Sequence, residues 1–266
     1  MREPIILFIV EGEKRDYRFV EEMERCFMRD RHKVSVINVP ASQNIYMLYK
    51  QLCEDDFETD LVEILRESVP AARAKLEGVS RDSISQIYLF FDFDPHQKNL
   101  TSDDADAFEA IESMLEVFDS ETEHGKLFIS YPMVEALYDY QRDRCQSFTG
   151  CFVSLDDVGR YKGIVGDGNA NASLRMEYGR WKDVIELFAL RVRCLLELES
   201  ISYDLYGQLV TPLVLFKAQR VECEANNRVF VLSAFPEFLL DYYGRSFWNS
   251  HVRRRRYSFD ACEKGR

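Results

Sequence analysis

Two unbroken apolar runs, each ending in acid, stand out along the chain. Ile5-Ile6-Leu7-Phe8-Ile9-Val10 leads into Glu11-Gly12-Glu13-Lys14, and Ile87-Tyr88-Leu89-Phe90-Phe91 leads into Asp92-Phe93-Asp94-Pro95. Continuous apolar runs of this length, bounded by polar residues, read as strands buried on both faces. Side chains alternate along a strand, so Asp92 and Asp94 are expected on one side of its C-terminal end, with Pro95 stopping it.

The segments between these runs carry helical periodicity. Asp16 to Met28 places Tyr17, Val20, Met23 and Phe27 at spacings of three and four, which predicts a helix. The β-branched run Val34 to Val39 predicts a strand. Gln43 to Cys53 and Leu61 to Leu76 predict helices, the latter with Val62, Leu65 and Val69 on one face. After the central strand, Ser102 or Asp103 is expected to cap a helix reaching Phe118, striped by Phe108, Ile111, Leu115 and Phe118. Lys126 to Tyr131 predicts a short strand, and Pro132 the first turn of a helix running to about Arg144. This alternation implies a parallel α/β sheet flanked by helices.

The style changes near residue 145. Phe148 to Ser154 is expected as an edge strand, and Gly159 to Asn171, which holds Gly163, Gly166, Gly168 and two Asn, as a loop. Ser173 to Glu199, Asp204 to Asn227 and Phe235 to Ser250 predict helices. The expected organisation is an α/β domain over residues 1–145 and a mainly helical subdomain over 146–266.

Composition supports a folded chain: 46% hydrophobic and 30% charged residues fit a folded protein rather than a disordered one. No stretch approaches the roughly 18–20 apolar residues of a membrane span. The N-terminal run lacks a signal peptide's cleavage site, so a cytoplasmic protein without membrane attachment is expected. Seven cysteines at irregular spacings, with no CxxC pair, suit reduced thiols rather than disulfides or zinc. Net charge is −12, but residues 1–150 hold 17 Lys and Arg against 31 Asp and Glu, and the remainder is slightly basic. Such a chain is no general nucleic-acid coat. It can act on phosphates where a divalent metal supplies positive charge.

Chemistry concentrates at the ends of the two apolar runs. If their strands are neighbours, Glu11, Asp92 and Asp94 meet at one edge of the sheet, with carboxylates within roughly 4–8 Å of one another. Hard carboxylate oxygens suit Mg²⁺ or Mn²⁺, which polarise a phosphoryl oxygen and activate water.

The Phe8-to-Lys14 segment followed by Leu89-Phe90-Phe91-Asp92-Phe93-Asp94 resembles the Toprim domain of topoisomerases, primases and overcoming-lysogenization-defect (OLD) nucleases. In that family a Glu follows the first strand in a VEGE or VEGK turn and a DxD follows a later strand. The resemblance covers roughly residues 4–145. It implies a Rossmann-like Toprim fold with Mg²⁺ held by Glu11, Asp92 and Asp94. Phe128-Ile129-Ser130-Tyr131-Pro132-Met133-Val134-Glu135 is similar to the ISxPxxE segment of RloB/AbiL-type and AriB-like Toprim proteins of bacterial phage defence. By that likeness Glu135, one turn into a helix, lies near the metal as an added ligand or general base. OLD-type nucleases use a late lysine against transition-state charge, which makes Lys162 the matching candidate. The implied function is a Mg²⁺-dependent nuclease acting on RNA such as tRNA, or on DNA. It would be a toxic effector of antiphage defence, restrained by an AAA/ABC-type ATPase partner.

Other residues are weaker candidates. Arg15, Arg18 and Lys98 can hold phosphates, His96 can reach the crevice, and Arg253 to Arg256 can bind nucleic acid or an acidic partner. Residues 159–171 lack a P-loop's GK[ST] ending. A homodimer is expected, because the stripe Trp181 to Leu196 and the apolar Phe235 to Trp248 exceed what a small cap buries alone. Two alternatives use the same residues: a non-catalytic Toprim scaffold that binds the ATPase, and a haloacid-dehalogenase-like DxD phosphatase.

Overall fold

A computed structural model describes residues 4–12, 14–28, 35–54, 56–95, 106–139, 151–167 and 175–252. The chain divides into two compact units, residues 1–92 with 97–128, and residues 93–96 with 129–266.

The first unit is built on a mostly parallel five-stranded sheet flanked by helices, a Rossmann-like α/β arrangement. The strands are β1 (Ile5–Val10), β2 (Ser35–Pro40), β3 (Ile84–Asp92), β4 (Asp119–Ser120) and β5 (Gly125–Ser130), in the order β2-β1-β3-β5-β4. β1 pairs in parallel with both β2 and β3, setting Val10 opposite Pro40 and Phe90. The two apolar runs form adjacent inner strands because each must bury both faces. Leu7 to Val10 and Ile87 to Phe91 are buried accordingly. Phe8, Tyr88, Phe90 and Phe128 form an aromatic layer, with neighbouring ring centroids 5.7–6.3 Å apart.

Helices α1 (Arg15–Met23), α2 (Ile45–Cys53), α3 (Leu61–Ser68), α4 (Pro70–Lys75) and α5 (Ala107–Val117) complete this unit. Helix α1 continues as a π-helical turn, Glu24–Met28. The helix expected over Leu61 to Leu76 is broken at Val69, whose φ −116° and ψ 105° are extended. Steric conflict with the Pro70 ring excludes the α region there. The cap expected at Ser102 or Asp103 lies outside the described residues. The α5 cap is Asp106, whose carboxylate accepts from the Phe108 amide at 3.1 Å.

The second unit holds a two-stranded antiparallel sheet of β6 (Phe152–Ser154) and β7 (Arg228–Phe230). Its helices are α6 (Leu155–Val158), α7 (Tyr161–Asp167), α8 (Tyr178–Leu195), α9 (Tyr203–Leu209), α10 (Pro212–Asn226) and α11 (Ala234–His251). The loop expected over 159–171 is therefore wrong for its first half. Tyr161 and Val165, four residues apart, are both buried, and that packing outweighs the poor helix propensity of Gly163. The helix expected over Asp204 to Asn227 breaks before Pro212, the first residue of α10. Gln219 docks β7 by donating to the Phe230 carbonyl and accepting from its amide, both at 2.8 Å. Gly244, at φ 67°, kinks α11.

The expected exposed stripes do not exist. Trp181, Val184, Ile185, Phe188 and Val192 of α8, and Phe235, Phe238, Leu239 and Trp248 of α11, are buried within the chain. The two helices pack on each other, with Trp181 and Phe235 edge to face at 6.4 Å. The apolar-surplus argument for a dimer thereby loses its basis.

Two positions test this packing. Gly125 has φ 122°, and an added Cβ would lie 2.7 Å from Leu89 Cδ1. Gly125→Ala is expected to lower unfolding stability by about 2 kcal/mol or more, read from the urea midpoint. His251 is buried between Tyr178 and Phe247. Its ring stacks on Phe247 at 3.9 Å, and its Nε2 lies 3.0 Å from the Tyr178 hydroxyl. Burial pushes its pKa below 6.5, the Phe247 carbonyl opposing this and Lys182 adding to it. The unfolded chain then binds the proton more readily, so this contribution is full above pH 6.5 and is lost as pH falls below it. Cooling of the melting temperature between about pH 7.5 and about pH 5.5 should be smaller in His251→Gln than in wild type.

Candidate functional site

The sheet places Glu11 and Asp92 together. Glu11 is the first residue past β1, and its amide donates to the Phe90 carbonyl at 3.1 Å, carrying the β1–β3 ladder one residue further. Its Oε2 accepts from the Asp92 amide at 3.0 Å. The Glu11 carboxylate thus sits at the C-terminal end of the neighbouring strand, where open α/β sheets form their ligand crevices. Next to it, an added Cβ on Gly12 would lie 2.6 Å from Asp16 Oδ2. The buried Asp16, in the first turn of α1, closes over this turn, and a side chain at position 12 would require its carboxylate to move. Asp16 was not among the residues expected at the site. An acid in the first turn after the Glu-Gly-Glu stretch was the available signal. Arg18 pairs with the buried Glu22 at 3.1 Å.

The second unit begins at Phe93, which is 1% exposed and packs on Tyr131 at 5.4 Å and Phe216 at 6.3 Å. Strand β3 has ended at Asp92, before Pro95, so strand alternation does not fix Asp94 on the side of Asp92. The burial of Phe93 turns the chain instead. Asp94 takes a left-handed φ of 29°, and its amide donates to the Pro132 carbonyl at 3.2 Å. Left-handed backbone is tolerated better by Asp than by most residues.

Glu135 is not one turn into a long helix. It lies in a four-residue 3₁₀ turn, Val134–Leu137, after a cis Tyr131–Pro132 bond, and residues 140–150 lie outside the described residues. With no long helix at that point, a helix dipole does not account for its charge. The Nζ of Lys162 lies 3.3 Å from Glu135 Oε1 as an ion pair, with side chains 66% and 5% exposed respectively. Lys162 projects from α7 rather than from a loop.

Behind this pair lies a buried polar knot. The Tyr161 hydroxyl donates to Asp139 Oδ2 at 3.0 Å. Arg191 of α8 donates to the Asp139 carbonyl at 2.6 Å and to the Val231 carbonyl at 3.0 Å, with its Nη2 3.8 Å from Asp139 Oδ1. Arg191 was missed, although an arginine three residues after Phe188 on an otherwise apolar stripe was a legible signal. Such residues are seldom buried without a partner.

The structure thus joins the expected site residues in two pairs, Glu11 with Asp92 in the first unit and Glu135 with Lys162 in the second. Among the described residues, no three of His, Cys, Asp or Glu form a group arranged to hold a metal ion. Glu13, His96, Lys98 and Arg253 to Arg256 lie outside the described residues. Also among the described residues, no helix is long and apolar enough to cross a membrane. The chain matches no family model, no curated protein and no solved structure.

The Glu135–Lys162 pair has a measurable energy. Because Lys162 is two-thirds exposed, a double-mutant cycle of Glu135→Gln and Lys162→Met should give a coupling of about 0.5–1 kcal/mol in urea unfolding. A coupling near zero would show that the pair is not formed in solution.

Proposed function

We propose that the protein is a Mg²⁺- or Mn²⁺-dependent Toprim-type nuclease. One observation carries this reading: Glu11 Oε2 stands 3.0 Å from the Asp92 amide at the paired ends of two adjacent parallel strands. Carboxylates at such an end have the hard oxygens that Mg²⁺ prefers. Mg²⁺ is commonly held by one or two carboxylates, with waters and substrate phosphates filling its remaining positions. The Glu11–Asp92 pair suits that mode, with Asp94 and Glu135 as the further ligands in this reading. When bound, the metal supplies Lewis acidity and lowers the pKa of water for attack on phosphorus.

The chain's own residues divide the remaining work. Glu11 and Asp92 would hold the metal at the strand ends, and the cation would offset the repulsion between their carboxylates and an anionic phosphodiester. Lys162, with its exposed ammonium oriented by Glu135, meets the negative charge that grows on the phosphoryl oxygens. The net result is hydrolysis: a water oxygen bonds to phosphorus while the bond to the leaving sugar oxygen breaks. The substrate class is RNA, tRNA included, or DNA. The biological setting we infer is a toxic cytoplasmic effector of antiphage defence under the control of an AAA/ABC-type ATPase. A homodimer belongs to this reading only through surfaces other than the buried stripes of α8 and α11.

A second reading, a non-catalytic scaffold for the ATPase, is favoured by one observation. Among the described residues no three potential ligands are grouped for a metal.

Incubating the protein with tRNA, plasmid DNA and a small phosphate ester, with and without Mg²⁺, separates the readings. We expect metal-dependent cleavage of a nucleic acid, and a loss of about 10³-fold in rate for Glu11→Gln at an unchanged fold. Cleavage by Glu11→Gln at the wild-type rate would remove Glu11 from the mechanism. No cleavage by wild type, with no metal-induced rise in melting temperature, would favour the scaffold.

A further inference from the structure

The buried knot of Asp139, Arg191 and Tyr161 touches no expected reacting group, yet it is built into both elements that carry the Glu135–Lys162 pair. Asp139 follows Glu135 by four residues and lies two residues past the end of the 3₁₀ turn, tied back to it by its amide, which donates to the Ala136 carbonyl at 3.2 Å. Tyr161 precedes Lys162 on α7. It is 1% exposed and binds the Asp139 carboxylate. Neighbouring residues on a helix point in different directions, so Tyr161 faces inward while Lys162 faces solvent. Arg191 closes the arrangement from α8 by gripping the Asp139 backbone and the Val231 carbonyl together.

The chemistry of this knot is costly for a purely structural device. Burying an arginine and an aspartate forfeits their hydration, and well-packed apolar residues of similar volume often hold a core equally well or better. What apolar packing cannot do is fix direction. A hydroxyl-to-carboxylate bond sets the rotation of α7 about the turn, and a guanidinium with two carbonyl acceptors sets the end of the turn. Lys162 needs that help. Its ammonium is a mobile point charge on a long stem, and an exposed ion pair alone holds such a stem weakly.

We propose that Asp139, Arg191 and Tyr161 are positioning residues that hold the Lys162 ammonium against the buried Glu135 carboxylate. As a device that presents one lysine at a fixed place, this rests on the nuclease reading, in which Lys162 meets phosphoryl charge. The knot acts through Glu135 and Lys162 and touches no substrate.

The test uses the full chain and the volume-conserving Tyr161→Phe, which removes one hydroxyl. The first readout needs no activity. Wild type and variant are treated with limiting acetic anhydride, and modification of Lys162 is measured by peptide mass against the exposed Lys50 of the same molecule. Lys162 modification is expected to rise by about twofold or more in Tyr161→Phe, the size of effect an exposed ion pair supports. Glu135→Gln should give the same rise, and combining the two should add nothing further, because both act on one contact. The second readout is cleavage, where kcat should fall by about tenfold with KM unchanged.

If the Lys162 rate in Tyr161→Phe equals that of wild type while Glu135→Gln raises it, the knot does not position the lysine and the proposal is overturned. If Tyr161→Phe adds to Glu135→Gln, the hydroxyl acts by loosening the unit generally, and the proposal is again overturned. If the expected pattern of modification is found in a protein that cleaves no nucleic acid, the positioning role stands and the nuclease reading fails. Should Tyr161→Phe not fold, Asp139→Asn replaces it, keeping an acceptor for the Tyr161 hydroxyl while removing the charge that Arg191 meets. A rise in Lys162 modification there supports the proposal, and an unchanged rate overturns it.

Discussion

Burial of β1 and β3 on both faces is the constraint from which the rest of the first unit follows. Strands with no polar face cannot lie at an edge without exposing their apolar side chains, so they become the inner pair. Their parallel register then brings their carboxyl ends level, Val10 beside Phe90. Glu11 follows β1 and Asp92 is the last residue of β3, so an acid stands at each carboxyl end. The fold therefore places Glu11 and Asp92 side by side without any direct attraction between them, which two like charges would not supply. A hydrogen bond from the Asp92 amide to the Glu11 carboxylate stabilises this arrangement by giving one of the charges a fixed donor.

The second unit solves a different problem. Its helices bury nearly every large apolar residue of their stripes, and particular polar side chains that enter this interior hydrogen-bond to the backbone within it. Gln219 supplies β7 with the hydrogen bonds of a missing strand neighbour. Arg191 does the same for the carbonyls of Asp139 and Val231. Unmet backbone groups in such an interior cost about 1–3 kcal/mol each, so these two side chains account for where irregular backbone can pass through the unit. The turn bearing Glu135 and the helix bearing Lys162 are both positioned by that network.

The two units meet in sequence at Asp92 and Phe93, and the chain changes character within a single dipeptide. Asp92 ends a strand of the first unit, and Phe93 is a core residue of the second. Placing a large aromatic between two aspartates serves folding as much as chemistry. The anchoring of Phe93 against Tyr131 and Phe216 forces the turn at Asp94.

Local physics determined much of this protein. The runs at 5–10 and 87–91, the spacing of apolar residues in α1, α2, α5, α8 and α11, and the acid at the carboxyl end of each inner strand are all properties of short segments. Periodicity and burial alone were enough to read them. The glycine of the Glu11 turn was visible too, but not its surroundings, since the Asp16 carboxylate that a Cβ there would displace arrives with the fold. Tertiary structure decided what depends on partners distant in sequence. Phe93 chose the second unit over the strand it follows, which took Asp94 off β3. Tyr161 and Val165 found a core and made a helix of a glycine-bearing stretch, which put Lys162 on α7. Packing of α8 on α11 consumed stripes that by themselves looked like a surface for a second copy. Arg191 chose Asp139 and Val231 from across the chain, a pairing no window of sequence contains. In each case a short segment fixes which faces are apolar, while the burial that fulfils them is a contest among segments that only the assembled chain resolves.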